Sequence, residues 1–226
     1  DWLLSHYLLN TSYNQQVLDL LKESENKLIN KINLLPKQNV EPISLLLENL
    51  IISGIGMGIV GNSSPASQGE HLLAHFIEMA FSKQIAKSYH GEQIALCTLL
   101  MAKLQENILI SNKLPIIKNS NFDDLKKIFS TDLISQMHKK YAIKQQLVED
   151  MNDISATEWQ NIKNSIKKIF LSSTQIAEIF KKAEIIATTE QLGWQDYMLQ
   201  TALDNAYMIR ERFTFLDIVR HQSLFN

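Results

Sequence analysis

Apolar residues recur at three- and four-residue spacing along almost the whole chain, which is the mark of helices that each bury one face. The pattern predicts helices over Trp2–Leu9, Tyr13–Ile32, Pro42–Gly58, Glu70–Ser82, Gly91–Ile110 and Asp123–Phe129. It continues over Asp132–Tyr141, Ala156–Phe170, Ser173–Ile185, Trp194–Met208 and Phe213–Val219. No run alternates between apolar and polar residues as a half-buried strand does, and only seven Gly and four Pro interrupt the chain. Asn- and Lys-rich stretches such as Pro36–Val40 and Ile117–Asp124 read as surface loops. No internal repeat or low-complexity linker divides the sequence, so the expected fold is all-α, a single multi-helix domain over residues 1–226.

Within this pattern one helix carries chemistry on its polar side. Ser67-Gln68-Gly69-Glu70 has the spacing of a capping box, which predicts a helix start just before His71. At about 100° per residue, Leu72, Leu73, Phe76, Ile77 and Ala80 share one stripe, while His71, His75, Glu78 and Ser82 gather on the other side. Two histidines one turn apart can meet one metal ion. A third, His90, opens a segment that is apolar almost all round, from Ile94 to Leu104, and is therefore expected to be centrally buried. A helix N-terminus there disfavours the imidazolium and keeps the His90 ring able to ligate. From spacing alone, His90-Gly91 serves equally well as a plain helix-initiating turn. His6, His138 and His221 lie in polar, unclustered contexts and read as solvated.

Gly56-Met57-Gly58-Ile59-Val60-Gly61 matches G-x-G-x-x-G, with Glu78 about twenty residues on. The segment follows a predicted helix rather than a strand, and Pro65 comes soon after, so no strand–helix–strand unit fits. These glycines are expected instead to end a helix and to let its backbone approach a neighbour closely.

The chain has 226 residues, 45% of them hydrophobic and 20% charged, enough for a sizeable core. A net charge of −2 with no basic block gives nucleic acid and anionic membranes no electrostatic footprint. The single cysteine, Cys97, excludes an intrachain disulfide framework, fits a reducing compartment and reads as inert packing. No stretch is read as approaching the roughly 18 apolar residues that span a membrane, nor is there a signal-peptide pattern, so a cytoplasmic location is expected. Asp1-Trp2-Leu3-Leu4 runs straight into an amphipathic pattern without an initiator Met, as in an excised domain or processed fragment.

Two segments, Ser53–His75 (SGIGMGIVGNSSPASQGEHLLAH) and Tyr89–Met101 (YHGEQIALCTLLM), resemble sn-glycerol-1-phosphate dehydrogenases, of the iron-containing alcohol dehydrogenase and dehydroquinate synthase superfamily. The first resembles the family's S-G-I-x-M, its P-A-S loop and E-H-x-x-x-H. The second resembles its H-G-E-Q step. Asp1-Trp2-Leu3-Leu4 is similar to an acidic-Trp segment just after the family's domain junction, and Ile209–Thr214 to a closing I-R-x-R-Y-T motif.

The resemblance implies the family's helical C-terminal domain. His71 and His90 match its metal-ligating histidines, and His75 matches a substrate-proximal histidine able to relay a proton. The implied metal is Zn²⁺, with Ni²⁺ or Fe²⁺ in relatives, and the implied partner is a phosphorylated polyol or ketone such as dihydroxyacetone phosphate. NAD(P) would be bound mainly by an upstream nucleotide-binding α/β domain that is absent from the chain. The third ligand, an Asp in a G-D motif, would also lie upstream, and Asp1 is not expected to replace it. Two imidazoles make a weak site beside the usual three-ligand zinc, so the parent protein is expected to be an NAD(P)- and metal-dependent dehydrogenase and the fragment alone inactive.

Ser64 stands where the family usually has Arg, and Gln68 where it usually has Gly. Loss of that Arg leaves the substrate open. A dehydroquinate synthase-like lyase is a second reading, weakened because such enzymes carry G-H-T-x-x-H where this chain has P-A-S-x-x-E-H. A third is a non-catalytic helical module retained for oligomer contacts; a homo-oligomer is compatible with either view.

Overall fold

Local caps and apolar stripes divide the chain into helices much as the spacing predicts, and the computed structural model describes residues 1–151 and 153–219. The α-helices are α1 (Trp2–Leu9), α2 (Gln15–Ile29), α3 (Val40–Val60), α4 (Gly69–Phe81), α5 (His90–Ile110) and α6 (Phe122–Leu125). They continue with α7 (Thr131–Glu149), α8 (Ala156–Lys167), α9 (Ser173–Lys182), α10 (Thr189–Leu192) and α11 (Asp196–Asn205). Short 3₁₀ turns cover Ile32–Leu34, Ala206–Ile209 and Phe215–Asp217. Among the described residues there is no strand, only an isolated antiparallel bridge between Ile117 and Ile218. The all-α expectation holds.

The core is organised around α4 and α5. Leu72, Leu73, Phe76 and Ile77 of α4 are all buried and meet Leu96, Cys97, Leu100 and Leu104 of α5. Removing each of these side chains from water is worth about 1.5–3 kcal/mol. The turn Ala206–Ile209 and helix α11 close the other side of α4. Cys97 is fully enclosed, and burial pushes its thiol well up, which agrees with inert packing.

Helices α2 and α3 pair with each other beside this core. The three glycines of the false dinucleotide motif divide their roles here. Gly56 lets the helices approach, since a Cβ there would lie 2.9 Å from Val17 Cγ1. Gly61 ends α3 in the left-handed conformation with φ 76°, while Gly58 faces open space. The outer side of α3 leaves Leu47, Leu50, Ile51, Ile55 and Ile59 exposed. By length and composition α3 and α5 could each cross a membrane, so the expectation that no stretch approaches that length is corrected. The apolar residues of α3 are interrupted by Glu48, Asn49 and Ser53, which hides its high average; α5 is instead a largely buried core helix.

Departures from the spacing are clearest in three places. Helix α7 runs on to Glu149 rather than stopping at Tyr141. Its buried stripe, Ile134, Met137 and Tyr141, continues through Lys144, a charged residue that broke the apolar period. The expected Trp194–Met208 helix begins at Asp196 and tightens to 3₁₀ at Ala206, after a separate turn of helix, α10, stopped by Gly193 at φ 65°. The expected Phe213–Val219 helix is one 3₁₀ turn, because Thr214 and Asp217 cap it immediately and Ile218 turns to pair with Ile117.

Candidate metal centre

The polar side of α4 and the first turn of α5 bring His71, His75 and His90 together. Ring centroids are 6.0 Å apart for His71 and His75, 5.4 Å for His71 and His90, and 5.1 Å for His75 and His90. Nineteen residues separate His71 from His90 in sequence; packing of α4 on α5 closes that gap. The side-chain exposures of His71 and His75 are 23% and 39%, and His90 is exposed, so the cluster lines a surface that solvent or substrate can reach.

Each histidine is held differently. His71 Nδ1 lies 2.8 Å from Glu70 Oε1, which fixes the tautomer and leaves Nε2 free to ligate. Burial pushes the Glu70 carboxyl up, but hydrogen bonds from His71 and from the backbone N–H groups of Gln68 and Glu70 outweigh it and hold the group below its ordinary range. His75 Nδ1 stands 3.4 Å from Glu78 Oε2. Burial lowers the His75 pKa, only partly opposed by Glu78, which favours the neutral ring as a base or donor. His90 is the first residue of α5. The turn that carries it is fixed by Glu92, whose Oε2 accepts from the Tyr89 N–H at 2.8 Å and whose Oε1 accepts from Gln191 Nε2 at 3.1 Å.

The start of α4 differs from the expected capping box. The helix does begin before His71, but the cap residue is Gln68, whose N–H donates to Glu70 Oε1 at 2.8 Å. Ser67 is drawn away by Arg212, which donates to its carbonyl and, at 3.0 Å, to its hydroxyl, and also to Ser63 Oγ at 2.6 Å. Arg212 thereby ties the C-terminal segment to the loop that leads into the histidine helix. Asp1 accepts from Gly69 N at 3.1 Å and from Phe215 N at 2.8 Å, a helix-start and turn cap. Sequence reasoning carried no signal for either tie, since 145 and 68 residues separate the partners.

Outside the cluster the histidines serve other ends. His6 is not simply solvated: it is half-buried, with Nδ1 2.8 Å from the Thr11 carbonyl and its ring stacked on Tyr13 at 5.1 Å. Asn10, left-handed at φ 51°, reverses the chain and lays Thr11–Tyr13 back over α1. His138 is exposed, as expected, with its ring 4.9 Å from Phe122. His221 lies outside the described residues.

The donor chemistry fits a borderline divalent ion: imidazoles on one side of two rigid helices, one with its second nitrogen held by a carboxylate, and an open face for a further ligand.

Comparison with known proteins agrees with the motifs. No protein-family model matches the chain. It is 25% identical over 217 residues to a protein named glycerol-1-phosphate dehydrogenase [NAD(P)+] from Halalkalibacterium halodurans, covering 96% of this chain and 47% of that protein. A protein of the same name from Thermoplasma acidophilum is 28% identical over 148 residues, 66% of this chain and 38% of that protein. One from Staphylothermus marinus is 36% identical over 104 residues, 46% of this chain and 28% of that protein. The chain thus spans less than half the length of these curated relatives.

Proposed function

We propose that this chain, a relative of the glycerol-1-phosphate dehydrogenases, is the metal- and substrate-binding part of an NAD(P)-dependent oxidoreductase that reduces dihydroxyacetone phosphate or a related carbonyl. The convergence of His71, His75 and His90 at the α4–α5 junction carries the reading. His71 and His90 would hold the metal, completed by a carboxylate from a nucleotide-binding domain that also binds most of the NAD(P).

A Zn²⁺, Ni²⁺ or Fe²⁺ ion held by His71 and His90 would supply Lewis acidity toward a carbonyl oxygen. Glu70 keeps His71 Nε2 directed to the site. His75, neutral and half-exposed, relays the proton between the substrate hydroxyl and solvent. The loop through Ser64, pinned by Arg212, forms a wall of the cleft, and Ser64 offers a hydroxyl where an Arg would clamp a phosphate bidentately. The substrate is therefore one of the phosphorylated polyols or ketones whose anion is bound mainly by other groups. A cytoplasmic enzyme, with homo-oligomeric assembly compatible, completes the proposal.

The test is elemental analysis and carbonyl-dependent NAD(P)H oxidation with the enzyme that joins this chain to a nucleotide-binding domain. His71→Ala and His90→Ala are expected to lose bound metal and turnover with far-UV circular dichroism unchanged, whereas His75→Ala keeps the metal and loses turnover. A His90→Ala enzyme that retained both metal and activity would overturn the assignment.

A further inference from the structure

The geometry points to a three-donor cation site contained within the chain, formed by His75, Glu78 and His90, that takes Zn²⁺ or a similar divalent ion without help from any other domain. Each of these residues offers one ligand atom, and the three atoms all lie within 4.8 Å of one another. His75 and Glu78 are neighbours at i, i+3 on the polar face of α4, so the helix itself sets their separation. His75 Nδ1 and Glu78 Oε2 stand 3.4 Å apart. That is long for a hydrogen bond but about the spacing of two donors on one tetrahedral ion with bonds near 2.0–2.1 Å. His90 is delivered to them from the first turn of α5, its ring nearly parallel to that of His75 at 17°.

Both supports are rigid. Helix α4 is anchored through Phe76 and Ile77, which alternate with His75 and Glu78 around the helix and are fully buried. The turn bearing His90 is braced by Glu92 and Gln191. Two imidazoles and one carboxylate, with His90 exposed, make a three-protein-ligand set that keeps an open position, the composition zinc accepts in catalytic sites.

This site rests on the reading that the histidine cluster takes a metal, but it assigns different partners to His90: His75 and Glu78 in place of His71. The isolated chain would then load a cation at this set, and His71 would compete for His90 only when an outside carboxylate is supplied.

The deciding experiment is calorimetric titration of the full 226-residue chain with Zn²⁺, paralleled by Co²⁺ titration followed through its visible absorption and by circular dichroism as a check on folding. One equivalent is expected. Glu78→Gln, His75→Ala and His90→Ala should each weaken binding by about tenfold or more, and the first should change the Co²⁺ spectrum. In this chain titrated alone, with no outside carboxylate to draw His90 toward His71, His71→Ala should stay within about threefold of the unmodified chain, unlike its loss of metal in the two-domain enzyme. If Glu78→Gln binds like the unmodified chain while His71→Ala and His90→Ala do not, the site is overturned and the pairing of His71 with His90 stands. If the chain binds no ion beyond what His90→Ala binds, the site is also overturned. Metal analysis of the two-domain enzyme then judges the functional reading separately.

Discussion

The Glu70 carboxylate and the His71 ring, neighbours in sequence, meet at 2.8 Å on the edge of the histidine cluster. Two backbone N–H groups at the helix start add to the same carboxylate, so its charged form is stabilised in the folded state despite burial. The sign follows: the folded pKa lies below the ordinary value of 4.5, so the stabilisation is fully present above 4.5 and is lost as pH falls through the folded value. Glu70→Gln is expected to lower Tm near neutral pH and to narrow the difference from the unmodified chain as pH falls through the acid range. A pH-independent difference between the two melting curves would contradict it.

Lys144 and Asp217 form the most enclosed ion pair among the described residues, 2.6 Å apart at 1% and 3% exposure. Burial pushes the Lys144 ammonium down and the Asp217 carboxyl up, and their attraction offsets only part of this. Lys144 also donates to the carbonyls of Tyr207 and Arg212, so it fastens α7 to the segment that pins the Ser63–Ser67 loop. Lys144→Met should cost about 3–5 kcal/mol in urea unfolding, because the buried Asp217 loses its ion-pair partner. Adding Asp217→Asn should recover part of that loss. A double variant that summed both single losses would show that the two groups are not coupled.

Gly56 and Gly58, two residues apart on α3, should respond oppositely to Ala. At Gly58 the new methyl meets nothing, and the gain in helix propensity should stabilise the chain by about 0.5–1 kcal/mol. At Gly56 it would press on Val17, a buried β-branched side chain with little freedom to move, at an overpacking cost of about 1–3 kcal/mol. Paired denaturation curves check both; equal shifts for the two variants would mean that α2 is free to move away from α3.

Much of the candidate site is legible in the sequence. The i, i+4 spacing places His71 and His75 on the face opposite Leu72, Leu73 and Phe76, and Glu78 falls on that same face. The apolar run after His90 marks α5 as the buried partner. What spacing could not convey was that Glu70 would orient His71 rather than complete a box with Ser67. Arg212, 145 residues away, competes for that serine.

By itself the sequence determined the helices, because a period of 3.6 residues written in apolar side chains is local and each helix can be read from its own stretch. It also determined which face of α4 carries His71, His75 and Glu78. Only the tertiary structure decided that Lys144 belongs inside, that α7 therefore continues to Glu149, and that His90 stands 5.1 Å from His75 with Glu78 close by. These depend on pairings between distant segments, whose energies arise when the helices pack and leave no periodic trace along the chain.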